Sequence, residues 1–176
     1  MSLANQIAEN GTMIIISDES TYKATLKDTL KIATQDLCCY VTFNKTCSSL
    51  GDFFKKNGVP LKNVKFIDAI TRTIKDVEST QDCTYISSPE SLTELAIVLK
   101  KHLEFPFKYL IFDSVTDLIT YADVNNVKKF IKSISYQCGE AKCKLILIAV
   151  ENSDNKAMIR TLGTFVDATI TYQKNQ

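Results

Sequence analysis

Short β-branched runs alternate along this chain with longer stretches whose apolar residues recur at helical spacing. Thr12–Ser17 (TMIIIS), announced by Asn10-Gly11, predicts a buried strand. Ser20–Thr34 then carries Leu26, Leu30 and Ala33, with Leu37 beyond, at spacings of four, three and four, one face of a helix. Leu37–Phe43 (LCCYVTF) and Val64–Ile70 predict two more strands, separated by a short helix over Cys47–Asn57 that Asn57-Gly58 and Pro60 close. The polar stretch Thr71–Asp82 predicts a surface connection, and Cys83–Ser87 another short strand. Ser88-Pro89-Glu90 carries the signals of a helix start: a capping serine, a first-turn proline and an acid. That helix turns Leu92, Leu95, Leu99 and Leu103 inward and ends at Phe105-Pro106-Phe107, a helix-to-strand corner. Lys108–Asp113 is the next strand, Asp123–Gln137 a helix, Lys144–Val150 a strand apolar on both faces, Asn155–Leu162 a short helix and Phe165–Tyr172 a last alternating strand.

Strand–helix alternation throughout predicts a three-layer α/β/α fold around a mostly parallel sheet with right-handed crossovers. No repeat, low-complexity tract or linker interrupts it, so residues 1–176 are expected to form a single domain with its core at about 10–172.

Composition narrows the chemistry. The chain has 176 residues, 45% apolar and 23% charged, with 21 Lys+Arg against 20 Asp+Glu, a net charge of +1. So even a balance argues against nucleic acid or an anionic membrane as the main partner. The five glycines (Gly11, Gly51, Gly58, Gly139, Gly163) stand 40, 7, 81 and 24 residues apart. Neither G-x-G-x-x-G nor G-x-x-x-x-G-K fits those gaps. One histidine, His102, excludes H-E-x-x-H and Cys2His2 metal sites, and beside Lys100-Lys101 it reads as a rim residue. The six cysteines form no C-x-x-C pair and are expected to be reduced core thiols. No stretch reaches the ~18 apolar residues of a membrane span. The opening Met1-Ser2-Leu3 lacks a basic-then-apolar signal plan, which leads to the expectation of a cytoplasmic protein without a membrane partner. The lysine groups Lys55-Lys56, Lys100-Lys101 and Lys128-Lys129-Lys132 follow helix faces and read as solvated surfaces.

Ligands of such folds bind beyond the carboxyl ends of the strands. There the first strand continues as Ser17-Asp18-Glu19-Ser20-Thr21-Tyr22-Lys23-Ala24-Thr25, the second as Phe43-Asn44-Lys45-Thr46, and the Lys108 strand ends in Asp113-Ser114. In the order and spacing of these pieces the chain resembles the RecA-like ATPases of the KaiC and RadA branch, from about Asn10 to Tyr172. The Asn-Gly-Thr lead-in, the strand ending Val-Thr-Phe, the Walker B-like Tyr-Leu-Ile-Phe-Asp-Ser stretch and the closing Phe-Val-Asp-Ala-Thr-Ile-Thr-Tyr strand carry the likeness.

Laid on the Walker A pattern of that family, Ser17 takes the place of the first glycine, Tyr22 of the last, Lys23 of the phosphate lysine and Ala24 of the magnesium-binding hydroxyl residue; Thr25 comes one position late. A phosphate loop needs glycines so that backbone N–H groups can converge on the anion. Tyr22 puts a ring there, and Asp18 and Glu19 bring negative charge. At ~4 Å and an effective dielectric of ~20, each like-charge contact costs up to about 4 kcal/mol. Asn44-Lys45 stands where the family has its water-polarising glutamates. Only Lys23, Thr25 and Asp113 remain as relic nucleotide-site positions. Phosphoryl transfer depends on metal, lysine and backbone acting together. The resemblance therefore implies a domain that has lost ATP hydrolysis, needs neither ATP nor magnesium, and acts on a protein partner, a paralogue or a second copy. The alternative is a residual ATP-binding protein or weak ATPase using Lys23, Thr25 and Asp113. Two further readings, nucleic-acid binding and a receiver domain phosphorylated at Asp68 or Asp113, meet the neutral charge and the missing lysine at Val150-Glu151-Asn152.

Overall fold

The computed structural model describes residues 2–173; Met1 and residues 174–176, the extremities of the expected domain, lie outside the described residues. Seven strands form one sheet: β1 (Thr12–Ser17), β2 (Cys38–Thr42), β3 (Val64–Asp68), β4 (Cys83–Tyr85), β5 (Tyr109–Asp113), β6 (Lys144–Val150) and β7 (Ala168–Thr171). Their spatial order is β4-β3-β2-β5-β6-β1-β7, and every pairing is parallel. The α/β class and the parallel sheet expected from the alternating pattern are what the chain forms.

Parallel strands require long crossovers, and here helices supply them on both faces. Helices α1 (Leu3–Glu9), α2 (Tyr22–Ala33) and α3 (Cys47–Lys56) cover one face, where Ile7, Leu26, Leu30 and Phe54 meet Met13, Ile15, Tyr40, Ile111 and Ile148. Helices α5 (Leu92–His102), α6 (Val115–Tyr121), α7 (Val124–Glu140) and α8 (Lys156–Gly163) cover the other, against Val41, Leu110, Phe112, Leu145 and Leu147. Leu145 through Ala149 of β6 are fully buried, so both faces of that strand are in the core. Five of the six free cysteines are buried as well. No helix among the described residues is long and apolar enough to cross a membrane.

The strand order fixes one crossover that matters below. From β1 the chain must pass β6 and β5 to reach β2, so α2 crosses the face of two intervening strands. From β2 the chain moves outward to one edge through β3 and β4. It then returns through β5 and β6 to the other edge. The carboxyl ends of β2 and β5 therefore flank the point where connections diverge, the crevice where ligands of such sheets bind.

Local boundaries differ from the sequence pattern in four places. The opening residues form α1, capped by the Ser2 hydroxyl, with one buried side chain, Ile7. One apolar contact gives no periodicity to read. A four-residue helix, α4 (Thr71–Ile74), starts the connection read as irregular. Helix α6 follows β5 with no linker, Ser114 serving as its cap. Helix α5 begins at Leu92, not at Ser88-Pro89: Ser88 to Ser91 close a turn first, and Glu94 reaches back to accept the backbone N–H of Ser87 at 2.9 Å. At the corner after α5, Phe107 is buried, whereas Phe105 stays exposed.

Asp68, one of the two receiver-like candidates, is fully buried and entirely committed to structure. Its Oδ1 accepts the backbone N–H groups of Ile70 and Thr71, each at 2.8 Å; Oδ2 accepts Cys47 N–H and the Thr71 hydroxyl, each at 2.7 Å. It thus satisfies the first turns of both α3 and α4, and no oxygen is left for a phosphoryl group. Removing the acceptors strands buried donors, each costing about 1–3 kcal/mol. Asp68→Ala is expected to lower unfolding free energy by about 3 kcal/mol or more in urea denaturation, with Asp68→Asn losing less because one acceptor remains.

Candidate functional site

Asp113 ends β5 inside the crevice, fully buried on the face that α2 covers. Two tyrosine hydroxyls donate to its carboxylate. Tyr22 Oη, from the first residue of α2, lies 2.7 Å from Oδ1 and 2.8 Å from Oδ2. Tyr40 Oη, from the neighbouring strand β2, makes a very short contact with Oδ2. Register explains the second bond. Tyr40 pairs with Ile111 and Thr42 with Asp113, so the Tyr40 ring lies one pair below the carboxylate on the same face and reaches up to it. Topology explains the first, because the oblique start of α2 carries Tyr22 over β6 toward β5.

Lys45, from the loop after β2, completes the group. Its Nζ donates to Tyr22 Oη at 3.4 Å and sits 4.7 Å from the centre of the Tyr22 ring. That loop is held by Thr42, whose hydroxyl donates to Lys45 O at 2.8 Å and accepts Lys45 N–H at 3.2 Å. Beside it, Asn44 Nδ2 donates to Asp117 Oδ2 at 2.7 Å, and the same carboxylate accepts the Ser114 hydroxyl. The Asp113–Ser114 peptide is cis.

Burial sets the electrostatics. It raises the Asp113 pKa above its ordinary 3.8, against the lowering effect of the two tyrosine donors and of Lys45; the Asp117 charge adds to the rise. Burial likewise pushes both tyrosines up, and the Asp113 charge pushes them further. The hydroxyls are therefore locked as donors. Beyond them lies an open polar cleft of about 250 Å³ over the tops of β5 and β6, walled by Tyr22, Ser114, Asp117, Asn152 and Asn155.

The turn between β1 and α2 is closed on itself. Asp18 Oδ1 accepts Ser20 Oγ at 2.7 Å, Thr21 N–H at 2.8 Å and Thr21 Oγ1 at 2.9 Å, bonds that hold its pKa below the usual carboxylate value, the Ser20 hydroxyl most of all. Asp18 N–H in turn donates to Thr21 Oγ1 at 3.2 Å. Ser17 is buried at the end of β1.

Of the three relic positions, only Asp113 lies within this group. Lys23 is exposed on α2 and makes no hydrogen bond or ion pair among the described residues. Thr25 is buried, with its hydroxyl donating to Thr21 O one turn back at 3.0 Å. Tyr40 escaped sequence reasoning because its place beside Asp113 depends on strand register. Lys45 was visible only as a departure from a pattern, not as the cation beside Tyr22. Among the described residues no group of three His, Cys, Asp or Glu side chains is placed to hold a metal ion.

No protein-family model matches this sequence, and no curated protein matches it. Solved structures do match its shape. The uncharacterised protein PH0321 from Pyrococcus horikoshii superimposes with a TM-score of 0.68 at 10% identity, over 94% of this chain and 79% of its own. The flagellar accessory protein FlaH from Methanocaldococcus jannaschii gives 0.65 at 15% identity, over 94% and 73%. The fold is RecA-like. Identities this low carry the architecture and nothing finer, so the chemistry has to be read from the RecA-like crevice of this chain itself.

A raised carboxyl pKa has a sign. The folded protein holds the Asp113 proton more tightly than the unfolded chain does, so this group favours folding at acid pH. That contribution is lost as pH climbs from 3.8 through the folded-state value. Asp113→Asn removes the titration and keeps an acceptor for the tyrosines. Urea denaturation across this range is expected to show wild type losing stability relative to Asp113→Asn as pH rises.

Proposed function

We propose that this chain is a non-catalytic RecA-like module that has lost ATP hydrolysis and works by binding other proteins. The observation that carries the reading is the pair of tyrosine hydroxyls on Asp113. A carboxylate that is to hold a hydrated magnesium ion needs free lone pairs facing an open loop. Here Tyr22 and Tyr40 occupy Asp113, and the Tyr22 ring stands at the start of α2 where a phosphate would approach.

Three features support it. Asp18 accepts the Thr21 N–H that an anion would have to take, and it adds a negative charge of its own. Lys45, at the position of the family's water-polarising glutamates, is a cation committed to Tyr22 and cannot serve as a base for water. Lys23 faces solvent rather than the crevice. An interaction role fits a fold whose polar centre is satisfied internally. The Pyrococcus neighbour, for its part, was solved in complex with an unknown peptide. The partner is a protein, a paralogue or a second copy included.

A ligand present at 100 times its dissociation constant stabilises the folded state by about 2.7 kcal/mol, several degrees in melting temperature for a domain of this size. Millimolar Mg-ATP or Mg-ADP is expected to leave the melting temperature unchanged and to give no heat of binding in calorimetry. Low-micromolar binding abolished by Lys23→Ala and Asp113→Asn would establish the residual-ATPase alternative and overturn this reading.

A further inference from the structure

The sixth cysteine, Cys47, is half-buried where the other five are buried. It is the first residue of α3, and its N–H donates to Asp68 Oδ2 at 2.7 Å, which sets the start of that helix over the carboxyl end of β3. Strand β4 brings a second sulfur to the same place. Cys83 pairs with Phe66, and Tyr85 with Asp68. The Cys83 side chain therefore leaves the sheet on the same face as those of Phe66 and Asp68, the face that α3 covers, where Cys47 packs against the same apolar cluster. The two thiols hydrogen-bond each other. From the sheet edge Thr80 holds Cys83 in position: its hydroxyl accepts Cys83 N–H at 3.1 Å, and its own N–H donates to Cys83 O at 2.8 Å.

The two sulfurs are unequal. The bond to Cys47 and burial push the Cys83 pKa far up, so Cys83 keeps its proton and donates it. That donated proton holds the Cys47 pKa below its ordinary 9.0, against burial and the charges of Asp68 and Asp82. Cys47 is thus the sulfur that ionises, the thiolate being the reactive form of cysteine, and it is also the one that solvent reaches. The remaining thiols lack this combination. Cys38 and Cys39 are buried within β2, where desolvation raises their pKa values. Cys138 and Cys143 hydrogen-bond each other as well, but they are only 0% and 4% exposed.

We propose that Cys47 and Cys83 form an oxidant-responsive pair, closed to a disulfide by hydrogen peroxide and reopened by a thiol reductant. The Cys47 thiolate attacks one peroxide oxygen. An S–O bond forms, the O–O bond breaks, and the departing hydroxide takes up the proton that Cys47 gave up, becoming water. Cys83 then loses its proton and attacks the Cys47 sulfur. The S–S bond forms, the S–O bond breaks, and the second hydroxide leaves as water with the Cys83 proton. Two thiols lose two electrons in all, and the peroxide gains them. Such a bond requires side chains that converge, as two thiols sharing a hydrogen bond do. The disulfide fastens the start of α3 to β4, a three-residue strand at the sheet edge that pairs with β3, and closes the chain between them into a loop.

The test treats the full chain, reduced and freed of reductant, with a small excess of hydrogen peroxide, then denatures and alkylates it. Mass spectrometry is expected to find four of the six cysteines alkylated, and a tryptic digest to join the peptides of residues 46–55 and 76–100 through a disulfide. Dithiothreitol restores all six thiols. Cys47→Ser is expected to slow thiol loss by about tenfold or more. Cys83→Ser is expected to stop the reaction at the Cys47 sulfenic acid, which dimedone traps at that residue. The oxidised chain is expected to melt about 5 °C or more above the reduced one, a gain that dithiothreitol removes. Circular dichroism verifies that each variant is folded, and Cys47→Ser, at the half-buried position, stands alone if Cys83→Ser fails to fold. Six free thiols after peroxide, a disulfide that maps to Cys138 and Cys143 or links two chains, or equally fast oxidation of Cys47→Ser would each overturn the inference. So would an oxidised chain that melts no higher than the reduced one.

Discussion

A carboxylate with no access to water sits at the centre of the sheet's carboxyl edge, and the surroundings of Asp113 are arranged around that constraint. Burying an ionised group costs several kcal/mol unless hydrogen bonds and a countercharge compensate. Three separate parts of the chain provide them: Tyr22 from the start of α2, Tyr40 from β2 and Lys45 from the loop after β2. Because the contributors are far apart in sequence, satisfying one side chain fastens the β1–α2 connection, β2 and β5 to one another. The raised pKa shows that the compensation is incomplete, with burial still outweighing the donors.

The turn above this group obeys the same requirement by another route. A loop that waits for an anion keeps backbone N–H groups free and pointed inward. Between β1 and α2, Asp18 takes up the Thr21 N–H and the hydroxyls of Ser20 and Thr21. Asp18 and Asp113 do opposite things with a carboxylate: the exposed one is held ionised by local donors, and the buried one is pushed toward its neutral form by desolvation. At Asp113 both oxygens are already taken by tyrosine hydroxyls, which is the physical content of the non-catalytic reading.

The parts of the fold legible in the sequence were those whose signal is local. β6 reads as a strand because both of its faces are buried, and α2 and α7 because one stripe of each is apolar. α1 was illegible because a single residue, Ile7, anchors it, and α6 because its cap, Ser114, follows a strand without a break. The start of α5 was misplaced by three strong cap signals that a turn uses instead. At the site, Asp113 and the bulk of Tyr22 could be read from position alone. The bonds between them could not, since they depend on which strands α2 crosses. Tyr40 lay inside an unremarked strand run, and only the pairing of β2 with β5 brings it to the carboxylate.

Asp113 and the outer surfaces of α5 and α7 show two different uses of side chains in one sheet. Around Asp113 the donors and acceptors are turned inward and matched. On the outer surfaces of α5 and α7, Ile97 and Tyr136 stay exposed, while Glu94 and Asp123 accept backbone N–H groups at the helix starts. A chain of net charge +1 exerts little long-range pull on a charged molecule. Both helices are rooted in the core through Leu95, Leu99, Val127 and Ile131.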